Sequence, residues 1–299
     1  MNEQGIKKRT ALNVIIHCIL FLAAQFLVNV IAALVHDFLG NALKIDELIN
    51  IIIFSVIEVG LGYTFAFLYI KFIFKASPSE FRIKKPAAKK WFLLAFLLPA
   101  LIWAFYLIFV PGEIVIDTLP PEKTWDILIR TFITVSLRAA LVEELYFRAG
   151  VLHFFELRFG KIVAVIVSAV GFGLIHISNF TAEGLPAVIE AIPYFIWCII
   201  MGLLLALLAI ASDSIFIPAI THFCWNFFLG GGSFDINVNP DGIVNYRVLS
   251  DSWLFEDSKS TIAPIQICFM AVTAVVVFIV MKKKSTTPPQ DSRTISQGP

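Results

Sequence analysis

Apolar residues in this chain gather into eight long runs, near residues 11–35, 47–74, 91–110, 127–157, 161–177, 187–212, 215–230 and 262–281. A helix needs about 20 residues to cross a hydrocarbon core of roughly 30 Å. The pattern therefore predicts an all-α, polytopic helix bundle with about eight transmembrane helices. The first run follows Lys7, Lys8 and Arg9 as a secretory signal would, but its apolar stretch is much longer than a signal core, so it is expected to be a retained anchor.

Composition agrees with this pattern. Of 299 residues, 59% are hydrophobic and 15% charged, and the mean hydropathy is +0.86, values that exclude an ordinary soluble domain. Charge then orients the bundle, because cytoplasmic loops carry the excess of Lys and Arg. Lys75, Arg82, Lys84, Lys85, Lys89 and Lys90 follow the second run, Arg158 and Lys161 the fourth, and Lys282, Lys283 and Lys284 the eighth. The alternate loops carry Asp37, Asp46 and Glu47, then Glu113, Asp117, Glu122 and Asp126, then Glu183, and later Asp235, Asp241, Asp251, Glu256 and Asp257. Both termini are expected to be cytoplasmic: residues 1–10 as a short lead, 11–284 as the transmembrane domain, and the polar, Pro-containing 285–299 as a disordered tail. The net charge of +1, with basic residues committed to topology, gives no reason to expect nucleic acid. Cys18, Cys198, Cys224 and Cys268 all fall in apolar runs, where a thiol packs as a small hydrophobe.

Ionisable groups inside a membrane span are costly and usually mark a cavity or pathway. Here they are Glu58, Arg130, Arg138, Glu143, Glu144, Arg148, His153, His176, Glu190 and His222. Glu144 and Arg148 stand four residues apart on one helix face, acid first, which suits an ion pair. Glu143 lies about 100° around the same helix and is left for another task. Phe172 and His176 share a face of the fifth run, and His222 and Asn226 a face of the seventh. Glu143 and His176 fall at matching depths, whereas His222 comes out shallower and needs a tilt or a shifted boundary. Glu58 and Arg138 are expected to pair between the second and fourth runs, His17 to be a hydrated helix-end residue, and His153 to sit at the cytoplasmic interface.

The segments "EELYFR", "FGLIH" and "HFCWN" resemble the CAAX-processing and bacteriocin-processing (CPBP) family of intramembrane proteases, also called the ABI family, whose motifs EExxxR, FxxxH and HxxxN/D occur in that order. The resemblance covers residues 127–230. It implies that Glu143 and His176 activate a water to attack a peptide carbonyl, that His222 and Asn226 stabilise the oxyanion, and that Glu144, Arg148 and Phe172 support them. Glu143, His176 and His222 are also an acceptable ligand set for a divalent metal such as zinc, while a desolvated glutamate can act as a base without one; the residues admit both. HExxH and GxSxG are absent, no aspartate lies mid-span, and "NPDG" at 239–242 reads as a turn.

The function expected from the sequence is an intramembrane endopeptidase in a bacterial plasma membrane, acting on a peptide or membrane-associated protein. Two alternatives come from other classes: a proton-coupled transporter, which the lack of an inverted repeat disfavours, and a catalytically silent immunity or binding protein on the same scaffold, which the intact motifs disfavour.

Overall fold

The computed structural model describes residues 10–87, 89–177, 192–230, 233–236, 243–249 and 258–286. The expectations placed on Glu183, Glu190, the 239–242 turn and residues 287–299 lie outside them.

Helix α1 spans Ala11–Asn41, capped by Thr10, whose hydroxyl accepts from the Asn13 N–H at 3.3 Å. Helix α2, Glu47–Leu68, is capped by Asp46 and continues into a π-helical turn over Tyr69–Ile73. After a basic loop comes α3, Trp91–Phe109. A strand, β1 (Gly112–Ile116), leads to α4 (Pro121–Arg130), whose first residue is a proline, well suited to a helix start. The chain then runs without a break through a second π-helical stretch (Thr131–Arg138), α5 (Ala139–Glu144), a third π-helical stretch (Leu145–Val151) and α6 (Leu152–Ile177). Helices α7 (Ile192–Ser212) and α8 (Phe216–Leu229), strands β2 (Phe234–Ile236) and β3 (Val244–Val248), and α9 (Ser258–Thr286) complete the described fold.

Among the described residues, six helices are long and apolar enough to cross a membrane, where eight runs were expected. Two differences account for the number. The fourth and fifth runs belong to one helical course, Pro121–His176, in which Gly160 turns the backbone back (φ 81°, ψ 172°), a conformation that an L-residue rarely adopts. The seventh run is only a 14-residue helix, about 21 Å long at 1.5 Å per residue, too short to span alone.

The small sheet was not anticipated. Strands β1, β3 and β2 lie in that order, β1 antiparallel and β2 parallel to β3. It is pinned to α3 by the Tyr246 hydroxyl, which donates to Val110 O at 2.5 Å. A Cβ on Gly112 would come within 2.5 Å of the Tyr246 ring, so only glycine admits this approach.

Packing, rather than escape from water, holds helices together in lipid, and small residues let backbones close. Gly202 on α7 is such a point: an added Cβ would lie 2.9 Å from Ala169 Cα on α6. Glu58 and Arg138 pair as expected, Arg138 Nη1 to Glu58 Oε2 at 2.5 Å, with Asn29 Nδ2 donating to the other carboxylate oxygen at 3.0 Å. His17 is not a hydrated end residue. In the second turn of α1 its ring turns into the bundle, with Nδ1 2.6 Å from the Tyr69 hydroxyl and the ring stacked on Phe154. His153 is buried against Phe81, ring centroids 4.0 Å apart, next to the basic loop.

That loop folds inward. Phe81 and Arg82 are buried, and Arg82 reaches Glu156 at 2.6 Å and Asp213 at 3.7 Å. Arg82 O accepts from the Ile215 N–H at 3.0 Å, fixing where α8 begins. His222 nevertheless comes within 4.0 Å of Glu143, so the depth mismatch expected for it does not keep it from the site.

Candidate active site

Glu143 and Glu144 are the last two residues of α5, held between the second and third π-helical stretches. Such stretches are rare and recur at functional sites, because the switch to i→i+5 bonding leaves carbonyls available to side-chain donors. Two are used here. Val135 O accepts from Asn226 Nδ2 at 3.0 Å, and Phe147 O accepts from Ser168 Oγ at 3.1 Å.

Arg148 is fully buried, with Nε 3.0 Å from Glu144 Oε2 and Nη2 donating to Gly202 O at 3.4 Å. Its guanidinium carbon sits 4.7 Å from the Phe172 ring centroid, within cation–π range. The same ring lies 4.6 Å from the His176 ring and edge-on to His222 at 5.8 Å. Phe172 thus stands between the buried cation and both imidazoles, which gives the aromatic position of the FxxxH segment a physical role.

Each imidazole is oriented through Nδ1. His176 Nδ1 is 2.7 Å from Phe172 O, and since a carbonyl only accepts, the proton is on Nδ1 and the neutral ring leaves Nε2 bare. His222 Nδ1 lies 3.2 Å from Glu144 Oε1, whose companion oxygen Oε2 faces Arg148 Nε, so the same assignment follows with the carboxylate as acceptor. Both Nε2 atoms point to Glu143 Oε2, at 3.8 Å from His176 and 4.0 Å from His222. Glu143 Oε2 is itself buried without a hydrogen-bond partner. His222 bridges both acids through opposite ring nitrogens, so the 100° offset between Glu143 and Glu144 does not separate their partners.

The expected residues therefore converge: Glu143, His176 and His222 face one another, Glu144 and Arg148 sit behind them, and Phe172 lies between. Asn226, one turn beyond His222, is tied to Val135 rather than to the trio. The donor types suit zinc. Zinc bonds of about 2.0–2.1 Å put tetrahedral ligand atoms about 3.3 Å apart, closer than the observed separations of 3.8 and 4.0 Å, and among the described residues no three such side chains are set to hold an ion. The separations match a water accepting or donating two hydrogen bonds of about 2.8 Å at roughly a right angle.

Residues 124–228 match the model of the family described as type II CAAX prenyl endopeptidase Rce1-like. Over these residues, about a third of the chain, the sequence is similar to that family. The match agrees with the 127–230 span of the sequence resemblance, and the family is one of membrane peptide hydrolases. No curated protein and no solved structure matches the chain.

Three neighbours of this core escaped the sequence reading. Tyr194, 40% exposed in the first turn of α7, turns its ring toward His176, centroids 6.3 Å apart, and stacks on Trp197 at 5.7 Å. Gly202 and Ser168 supply the acceptor for Arg148 and the donor to Phe147. All three lie in apolar runs with no motif around them; a small residue mid-span was the one available signal, for Gly202.

Proposed function

We propose that this protein is an intramembrane endopeptidase in which Glu143 is the general base for a water attacking a peptide carbonyl. The observation that carries the reading is the unpartnered Glu143 Oε2 facing two bare imidazole nitrogens at 3.8 and 4.0 Å. A water seated there donates one hydrogen to Glu143 and the other to an Nε2, leaving a lone pair for the carbonyl carbon. Its proton passes to Glu143 as the C–O bond forms, and then to the leaving amine as the C–N bond breaks. Asn226 keeps one amide hydrogen after its bond to Val135 O, and that hydrogen serves the oxyanion, while the water's second hydrogen stays on the new carboxyl group and leaves to the Nε2 it bonds as the C–N bond breaks. Glu144, Arg148 and Phe172 hold the imidazoles.

The test is cleavage of a peptide library by the purified protein, with and without chelator, beside Glu143→Gln. The expected result is chelator-insensitive cleavage that falls about 10²–10⁴-fold in the variant. Undiminished cleavage by a folded Glu143→Gln protein removes the glutamate from the mechanism, and chelator-sensitive cleavage restores metal to the trio.

A further inference from the structure

Two aromatic rings border His176, and they differ in exposure. Phe172, 1% exposed, closes the buried side together with Arg148. Tyr194, 40% exposed, lies edge-on at 6.3 Å. The site groups divide in the same way. Side chains of Glu143 and His176 retain 19% and 18% exposure, whereas His222 retains 5% and Glu144 none. Tyr194 is also within electrostatic reach of Glu143. A substrate carbonyl that arrives at the exposed pair is therefore brought alongside this ring.

Tyr194 is held in place from two directions. Its hydroxyl is hydrogen-bonded to the thiol of Cys198, a fully buried residue one turn along α7. Its face stacks on Trp197, interplanar angle 12° and centroids 5.7 Å apart. Trp197 is fixed in turn: Nε1 donates to Gln266 Oε1 of α9 at 2.9 Å, and the ring meets the buried Trp225 of α8 edge-on at 5.7 Å. Three rings from two helices, braced by a third helix, thus form a ladder that ends beside His176. With its hydroxyl turned to sulfur, Tyr194 offers apolar and π surface. Such a preorganised surface loses little freedom when a partner settles on it.

We propose that Tyr194 is a specificity-determining residue: it takes an aromatic side chain of the substrate, carried by a residue flanking the scissile bond, as the next ring of the ladder. This rests on the peptidase reading above. The attacked carbonyl carbon comes about 3–3.5 Å from the water, and aromatic pairs act at about 4.5–7 Å between centroids, so a ring carried next to that carbonyl is in range of Tyr194. Aromatic pairs gain more than their buried area alone, which corresponds to a preference of about 2–10-fold for phenylalanine over leucine.

The experiment compares, on the purified full-length protein in detergent, library peptides that differ only in phenylalanine or leucine at each position flanking the cleaved bond. The readout is the ratio of their kcat/KM values, which misfolding does not move because both peptides meet the same folded fraction. The wild-type protein should favour phenylalanine about 2–10-fold at one flanking position. Tyr194→Phe should keep that ratio, and Tyr194→Leu should bring it to parity. No preference at either position overturns the proposal. So does a preference that survives in Tyr194→Leu, the result given by a tyrosine that only anchors α7 at a membrane interface. A ratio lost in Tyr194→Phe as well overturns it too, because the hydroxyl would then be the determinant. A second measurement needs no turnover and decides where a variant is inactive. In Glu143→Gln, a library peptide with benzoylphenylalanine at its centre should photo-crosslink to Tyr194 or Trp197, as located by mass spectrometry; crosslinks found only elsewhere overturn the proposal. If the wild-type protein cleaves no peptide but the crosslink forms at Tyr194, the peptidase reading has failed instead, and the aromatic subsite stands.

Discussion

Replacing Glu144 with glutamine separates the two tasks assigned to that side chain. The variant leaves Arg148 charged and fully buried, its Nε having lost the carboxylate 3.0 Å away. Removing one partner of a buried ion pair costs about 3–5 kcal/mol because the other charge is left uncompensated. It also takes from His222 Nδ1 the acceptor at 3.2 Å that sets its tautomer, and loss of such an outer partner lowers activity about 10–100-fold in comparable sites. A second substitution, Arg148→Met, removes the stranded cation. The double variant should recover most of the stability while staying about 10–100-fold impaired, since His222 still lacks its carboxylate. Stability can be read by heating the detergent-solubilised protein, in a Cys268→Ala background that removes the exposed thiol, with a thiol-reactive fluorophore, because Cys198 and Cys224 are fully buried until the bundle opens. Activity is read on the same samples with a library peptide. A double variant as unstable as Glu144→Gln would show that stranded charge is not the cause. One that regained full activity would show that Glu144 does not position His222.

Two further expectations concern packing and charge away from the site. Glu58→Gln and Arg138→Met should each destabilise the bundle, and a double-mutant cycle should return a coupling of about 0.5–3 kcal/mol, since the groups touch and share the Asn29 contact; additive effects would mean the pair contributes nothing jointly. Gly202→Ala should cost about 1–3 kcal/mol by overpacking, because its methyl meets Ala169 backbone at 2.9 Å; an unchanged unfolding temperature would mean that α6 and α7 can part without cost.

Much of the site was readable because its signals are local. Glu144 and Arg148, Phe172 and His176, and His222 and Asn226 are each one helical turn apart, and a charge in an apolar run stands out. The Glu58–Arg138 pair followed from matched depths. Features that depend on how backbone bonds are dealt, or on contacts between distant runs, left no such trace. Nothing in "TFITVSLR" or "LYFRAGV" distinguishes i→i+5 from i→i+4 bonding, so the π-helical stretches around Glu143 were invisible. "GEIVI" directly follows an apolar helix and reads as its frayed end, while its partner "VNYRV" lies 132 residues on, so the sheet could not be paired. Gly160 divided two runs correctly, yet its single-residue turn, with helix on both sides, looks in the sequence like an ordinary short loop.

The inward-folded basic loop has a consequence for biosynthesis. Arg82 leaves the ribosome well before Glu156 and Asp213, the acids that neutralise it, and Arg82 O finds its donor only when Ile215 is made. Until then the loop has no buried place to occupy. Closure of the bundle at this end is thus a late event in synthesis, and a chain truncated ahead of residue 213 would carry the acid pair and His176 but neither His222 nor the clasp that seats its helix.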